Sequence, residues 1–206
     1  MIAALFVQTA GAYFGLPGVD PWDEPRDARK YQGPYPVVAH PPCARWCKPL
    51  AKVNQTRYGH KIGDDGGCFD SALGDVLTYG GVLEHPANSY AWDAYEIPKP
   101  KRGKWLDASE WEPDVWVTEV SQSAYGHKAR KNTWLLYKGP KPPDLDWSDP
   151  KGTHLTSFLK RTSRVAPRLS KKEAIKTPPA FRELLLSLAA NAVPQKGNTD
   201  SGDENQ

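Results

Sequence analysis

A cysteine follows two prolines at the end of a short apolar run, in the segment Val37–Cys47 (VVAHPPCARWC). The thiol of Cys43 could attack a substrate, bind a metal ion or fill space in a turn. A thiolate is the best nucleophile among protein side chains, so a cysteine in a loop just beyond a strand is a candidate for covalent catalysis. The segment alone leaves all three roles open.

A second segment repeats the pattern of the first. The runs Val37–Pro42 (VVAHPP) and Val82–Ala87 (VLEHPA) both consist of two apolar residues, a variable residue, histidine and proline. Proline cannot continue a strand ladder, so each run predicts a buried strand that stops near its histidine. Ligands of open α/β sheets bind beyond the carboxyl ends of such strands. Four side chains are therefore expected to face one crevice: His40, Cys43, Glu84 and His85.

The cysteines also fit a metal site. All three cysteines of the chain and one histidine fall within a short window, at Cys43, Cys47, His60 and Cys68. A Cys-x3-Cys pair followed by a later histidine and cysteine is compatible with structural zinc. A thiolate committed to a closed zinc site is not available as a nucleophile, so these two hypotheses for Cys43 are alternatives.

The order of the predicted elements indicates an α/β fold. Short apolar runs predict buried strands over Ile2–Gln8, Pro36–Ala39 and Gly81–Pro86. Apolar residues recur at helical spacing between 69 and 77 and predict a helix between the last two strands. Strand, helix and strand in this order are typical of a parallel sheet. We predict a mainly parallel, shortened Rossmann-like sheet with flanking helices and a C-terminal amphipathic helix.

Composition divides the chain into four predicted regions: an α/β catalytic-like domain over 1–158, a basic linker over 159–176, a helix over 177–193 and a disordered tail over 194–206. The linker is basic because residues 160–176 hold seven Lys/Arg against one Glu. The tail is polar and acidic, a composition that does not support a packed core.

Charge and cysteine content set limits on location and partners. The net charge of +3 on 206 residues is too small to prove a polyanionic partner. Three cysteines without a recognisable signal peptide favour a reducing compartment, so we predict a cytoplasmic protein. The apolar opening is too short to span a bilayer, and no membrane partner is expected.

The proline-cysteine loop and the strand glutamate together resemble the catalytic segments of the cytosine-C5 DNA methyltransferases. In that family a Pro-Cys loop supplies the thiolate that adds to C6 of a flipped-out base, and a glutamate contacts the N3 side of the ring. Cys43 in HPPCARW matches the first segment, and Glu84 in GGVLEHP matches the second.

A third segment, SQSAYGHKARKNTWLLYKG, extends the resemblance, and its matching residues are Gln122, Tyr125 and Gly126. In the same segment Ala129, Lys131 and Thr133 stand where the family has glutamine, arginine and arginine. The resemblance covers residues 36–139, roughly half of the chain. Compact chains of this kind look like bacteriophage proteins, which implies the host-cell cytoplasm.

The resemblance implies a pyrimidine-modifying enzyme that acts on DNA, most simply a methyltransferase. The catalytic residues would be Cys43, Glu84 and Arg45. The residues that contact substrate would be His40, His85, Gln122, His127, Lys128, Arg130 and Lys131.

The cofactor that the resemblance implies is S-adenosylmethionine, with Phe6 and Asp20 as its contacts. The segment after the first strand lacks the family's clustered glycines, and the 31 residues between Gln8 and His40 leave room for one crossover. An enzyme that acts on free nucleotides without this cofactor is therefore an alternative. Two further alternatives are a zinc-stapled, non-catalytic nucleic-acid-binding protein and a catalytically dead decoy.

Overall fold

The computed structural model of the chain describes residues 1–156 and 166–192. In these ranges the strands are β1 (Ile2–Leu5), β2 (Val19–Trp22), β3 (Val37–Ala39), β4 (Gly81–Pro86), β5 (Leu106–Asp107), β6 (Val115–Ser121) and β7 (Asn132–Lys138). The α-helices are α1 (Lys48–Tyr58), α2 (Cys68–Tyr79), α3 (Ala91–Ala94), α4 (Lys171–Ala174) and α5 (Pro179–Asn191). None of these helices combines the length and the apolar character that a membrane crossing requires.

The strands form one mixed sheet in the order β2-β1-β3-β4-β7-β6-β5. Only three pairs are parallel, namely β1 with β2, β1 with β3, and β3 with β4. The pairs β4–β7, β7–β6 and β6–β5 are antiparallel and include the longest ladders. The prediction of a mainly parallel, Rossmann-like sheet is therefore wrong. Residues 122–131 alone connect β6 to β7, and so short a connection joins antiparallel neighbours because a parallel crossover usually needs a longer, helical one.

The first third of the chain differs from its prediction in two further ways. Strand β1 ends at Leu5 instead of Gln8, because Phe6 adopts a left-handed backbone conformation with φ 57°. Strand β2 lies in a passage rich in Gly, Pro and Asp whose sequence does not predict a strand. It contains Pro21, which is tolerated because β2 lies at the edge of the sheet.

In the parallel half of the sheet, the order in which the strands are added reverses at β1. From β1 the chain passes to β2 on one side and later to β3 and β4 on the other. Such a reversal opens a crevice at the carboxyl ends of the two central strands, here β1 and β3. The Leu5 carbonyl accepts a hydrogen bond from the His40 amide at 3.1 Å, which aligns the ends of these two strands.

The sheet is covered on both faces. Helix α2 buries Phe69 and Val76 against one face, and α5 buries Phe181, Leu185 and Leu188 against the other. The helix predicted over 177–193 thus shares the core of the sheet. The first part of the predicted basic linker (159–165) and the predicted tail (194–206) lie outside the described residues.

A glycine at the start of β4 permits the close approach of β3 and β4. Gly81 has φ 124°, and a Cβ there would overlap the backbone of Val37, with only 2.6 Å to its nitrogen. We expect Gly81→Ala to lower the free energy of unfolding by about 3 kcal/mol, measured by urea denaturation. The control is Gly74→Ala in α2, where a Cβ meets nothing within 4 Å. That variant should gain about 1 kcal/mol from helix propensity, and equal stability of the two variants would contradict the packing argument.

Candidate active site

A cavity of about 1120 Å³ occupies the crevice between β1 and β3. Its walls come from the β1–β2 connection, the loop that carries Cys43, the end of β4, the start of β7 and the segment 172–177. Of the four side chains expected to share this crevice, His40, Cys43 and Glu84 line it. The cavity is the largest of the pockets described, and it holds both the cysteine and the glutamate of the sequence hypothesis.

The buried carboxylate of Glu84 is held by a different partner at each oxygen. Oε2 lies 3.0 Å from Nδ1 of His40, and Oε1 accepts a hydrogen bond from Nε2 of Gln122 at 3.0 Å. Burial alone would raise the pKa of Glu84, but the nearby charge of Lys131 and the bond to His40 outweigh it and lower the pKa to about 2. Glu84 is therefore ionised at neutral pH.

The hydrogen bonds continue from Glu84 through His40 to a tyrosine. Nε2 of His40 lies 2.8 Å from the hydroxyl of Tyr13, in the β1–β2 connection. An ionised carboxylate can only accept, so Nδ1 of the imidazole carries a proton and donates to Glu84. Burial and the charge of Glu84 raise the pKa of Tyr13, so its phenol stays protonated. The sequence prediction missed Tyr13, although its place beyond a central strand was a signal for it.

The thiol of Cys43 is half-buried in the cavity and lies one helical turn before Cys47, whose amide donates to the Cys43 carbonyl at 2.8 Å. The interaction with the Cys47 side chain lowers the pKa of Cys43, and the charge of Lys131 acts in the same direction, whereas burial and Glu84 oppose it. The Cys47 thiol donates to Oδ1 of Asn88 at 3.6 Å, and its interaction with Cys43 raises its pKa. Cys43 is therefore the more acidic of the two thiols.

The three cysteines should therefore differ in reactivity. We expect iodoacetamide at neutral pH to alkylate Cys43 at least about tenfold faster than Cys68, whose pKa is raised by burial. Peptide mass spectrometry at successive times measures both rates in one sample. In urea the two cysteines should react alike, which controls for local sequence. Faster labelling of Cys68 in the folded protein would contradict an activated Cys43.

Lys131 is the cation whose charge acts on both Glu84 and Cys43. It is half-buried at the cavity, and its charge lowers the pKa of both Glu84 and Cys43. Within the described residues its ammonium group has no hydrogen-bond or ion-pair partner. It is thus available to a ligand in the cavity.

His85 does not face the cavity. Successive strand residues point to opposite faces of a sheet, so His85 lies on the other side of β4 from Glu84. It is fully buried, and its ring lies edge-on to Phe69 and Trp92 at centroid distances of 5.0 and 5.9 Å. Burial lowers the pKa of His85 to about 4, so the ring is neutral. The structure gives it a place in the core instead of a substrate contact.

The remaining predicted substrate residues divide into two groups. Arg130 and Lys131 line the cavity, and Arg130 is bonded to Asp149 through its Nε at 2.8 Å. Gln122, His127 and Lys128 do not line it. Gln122 is buried behind Glu84, and the Nδ1 atom of His127 lies 2.7 Å from a backbone carbonyl. Lys128 pairs with Glu173 at 3.7 Å.

Arg45, predicted to be catalytic, lies apart from the cavity. It lines a smaller pocket of about 560 Å³, which it shares with His60, Tyr58 and Asp65. Pro42 contributes to both pockets, so the cysteine loop separates them. Arg45 therefore does not stand beside Glu84 at the cavity.

The four residues of the zinc hypothesis are not brought together. Cys43 and Cys47 share the cavity, whereas His60 lies in the smaller pocket and Cys68 begins α2. In the ranges that the structure describes, no three His, Cys, Asp or Glu residues are grouped so as to hold a metal ion.

The two predicted contacts of S-adenosylmethionine are also separated. Phe6 lines the cavity, but Asp20 lies on the edge strand β2. There its carboxylate accepts from Arg26 at 2.6 Å and from the Trp22 indole at 2.8 Å. Asp20 is thus already engaged by its neighbours, and the predicted donor set does not fit the cofactor.

Comparison of the chain with protein families, with characterised proteins and with solved structures finds no match. The features that bear on function are therefore the geometry of the cavity and the short segments that resemble the cytosine-C5 methyltransferases.

Proposed function

We propose that this protein is an enzyme that modifies a pyrimidine base of DNA, with Cys43 as the nucleophile that adds to C6 of the ring. The observation that carries the proposal is the position of the Cys43 thiol, of lowered pKa, in the same cavity as the Glu84–His40–Tyr13 hydrogen-bond chain. A nucleophile beside an oriented acid–base group is the arrangement that covalent catalysis requires.

The chemistry follows from the state of each group. The thiolate forms a bond to C6, and the electron pair of the C5–C6 double bond moves to C5, which then takes up an electrophile. Loss of the C5 proton and cleavage of the S–C6 bond restore the ring and the thiolate. The ammonium of Lys131 can stabilise the negative charge that develops on the ring.

Glu84 acts in this scheme as an acceptor. Because its pKa is about 2, it has no proton to donate near neutral pH. Its oxygens can accept from a ring N–H or an exocyclic amine and so orient the base. The hydroxyl of Tyr13 and the imidazole of His40 are hydrogen-bonded to each other and line the same cavity, so both can contact the base.

The size of the cavity fits one nucleotide extruded from a strand. Small-molecule sites commonly measure about 300–1,000 Å³, and this cavity reaches about 1120 Å³. An enzyme that works on a ring atom of a paired base must take the base out of the duplex. A cavity of this volume, partly open to solvent and lined by Lys131, suits that step.

The test is mass spectrometry of nucleosides from the total DNA of cells that express the protein. Expression of the native chain should produce a modified pyrimidine, and its mass shift identifies the transferred group. Expression of Cys43→Ser should not. Cys68→Ser is the matched control, because Cys68 lies outside the cavity, and should behave like the native chain. Identical nucleoside profiles for the native chain and Cys43→Ser would reject the proposal.

A further inference from the structure

Lysine side chains form a cationic wall of the cavity. We infer that three lysines of this wall, Lys131, Lys172 and Lys176, bind the phosphate of the pyrimidine nucleotide whose base reaches Cys43. The inference rests on the proposed function and names its ligand as a phosphorylated pyrimidine, free or within a strand.

The first argument is the balance of charge. Among the described residues that line the cavity, four are basic, and Glu84 is the single acid. Glu84 is held by His40 and Gln122, and the charge of Arg130 is matched by Asp149. The three lysines remain, and within the described residues none of their ammonium groups has a hydrogen-bond or ion-pair partner. A surplus of unmatched cations around one cavity favours an anionic ligand.

Two of the lysines lie on or next to helix α4, which is capped and packed against the rest of the protein. Helix α4 begins with a capping box, in which the Ser170 hydroxyl accepts from the Glu173 amide at 3.2 Å and the Glu173 carboxylate accepts from the Ser170 amide at 3.2 Å. Ala174 and Leu169 pack on Ala129, immediately before β7. The segment 169–174 and the connection before β7 that carries Lys131 are therefore packed against each other.

Apolar side chains line the same cavity as the lysines and the thiol. Phe6, Leu50 and Ile175 line the cavity, and Ile175 is 50% exposed. A large apolar side chain exposed at a cavity wall gains stability when a flat ring covers it. A planar base joined to a phosphate satisfies both the apolar surface and the lysines, whereas a neutral nucleoside satisfies only the first.

The experiment measures equilibrium binding by calorimetry in the Cys43→Ser protein, in which the ligand is not consumed. The ligands are deoxycytidine, its 5′-monophosphate, a short single-stranded oligonucleotide rich in cytosine, and inorganic phosphate. The monophosphate should bind at least about tenfold more tightly than the nucleoside, and this preference should shrink as salt is added. Equal affinity of nucleoside and nucleotide would overturn the inference.

The variants Lys172→Gln and Lys176→Gln, combined, should remove most of the preference for phosphate. Lys171→Gln is the matched control, because Lys171 is exposed on the same helix but does not line the cavity. These positions are exposed, so the fold should be retained, and Lys131 is left intact because it also sets the charge state of Glu84. An equal loss in the control would overturn the assignment to the cavity lysines.

The relative affinities of the oligonucleotide and the monophosphate identify the source of the phosphate. Tighter binding of the oligonucleotide than of the monophosphate would assign the phosphate to a nucleic acid strand, and the reverse order would assign it to a free nucleotide. Inorganic phosphate should bind weakly at the same lysines, and binding that survives the double variant would contradict them. A phosphate preference without DNA modification would reject the proposed function alone, and modification without the preference would reject this inference alone.

Discussion

Replacement of Cys43 by serine should slow the exchange of the C5 hydrogen of a pyrimidine nucleotide for solvent deuterium by at least about a thousandfold. Addition of the thiolate to C6 makes C5 basic, so C5 takes up a deuteron from the solvent. Loss of the original proton and of the sulfur then returns a labelled base. The reaction needs no second substrate, and mass spectrometry of the nucleotide in deuterated buffer measures it directly. A serine hydroxyl has a far higher pKa and is a much weaker nucleophile near neutral pH.

Variants of the other two cysteines provide controls for this exchange, one without an expected effect and one with an intermediate effect. Cys68→Ser should leave the rate unchanged, because Cys68 lies outside the cavity. Cys47→Ala should lower the rate by about tenfold, since the interaction with the Cys47 side chain lowers the pKa of Cys43. Exchange at the native rate in Cys43→Ser would show that the thiol does not add to the ring.

The sequence alone could predict the part of the sheet that borders the cavity, because local signals coincide there. Two apolar runs that each stop at His-Pro imply two neighbouring strands that end at the same level of the sheet. The structure pairs these strands in parallel, with Val38 opposite Val82. His40, Cys43 and Glu84 consequently meet at one cavity. This part of the argument needed only strand length, burial and the behaviour of proline.

Other parts of the site depend on pairings that a single sequence does not encode locally. The direction of β7 beside β4 is set by the return of the chain from the edge of the sheet, which no periodicity reveals. Tyr13 reaches His40 from a loop without a regular pattern. The sequence predicts His85 at the crevice because its His-Pro pattern ends a strand, whereas strand alternation places His85 on the opposite face from Glu84.

The second large effect concerns stability. We expect Glu84→Gln to lower the free energy of unfolding near neutral pH by about 3 kcal/mol. The pKa of Glu84 falls from an ordinary value of 4.5 to about 2 in the folded chain, so the charged form stabilises the fold. Glutamine keeps the size of the side chain but removes the negative charge that the nearby charge of Lys131 and the bond to His40 stabilise. Urea denaturation of both proteins measures the difference.

The pH dependence of this difference identifies its cause. Because the folded pKa of Glu84 is below the unfolded one, its contribution is present above pH 4.5 and is lost as the pH falls toward 2. The native protein should therefore lose its advantage over Glu84→Gln across that interval. A difference that stays constant there would mean that the charge of Glu84 is not its source.

Protonation of His85 changes the stability in an adjacent interval of pH. Its contribution can therefore be measured separately from that of Glu84. Its pKa falls from 6.5 to about 4 on folding because burial disfavours the imidazolium. The unfolded chain takes up this proton first, so stability is present above pH 6.5 and is lost as the pH falls toward 4. His85→Leu should abolish that loss, whereas Glu84→Gln should retain it. If His85→Leu instead removed the dependence below pH 4, the ionised group of the site would not be Glu84, and the acceptor role assigned to its carboxylate would fail.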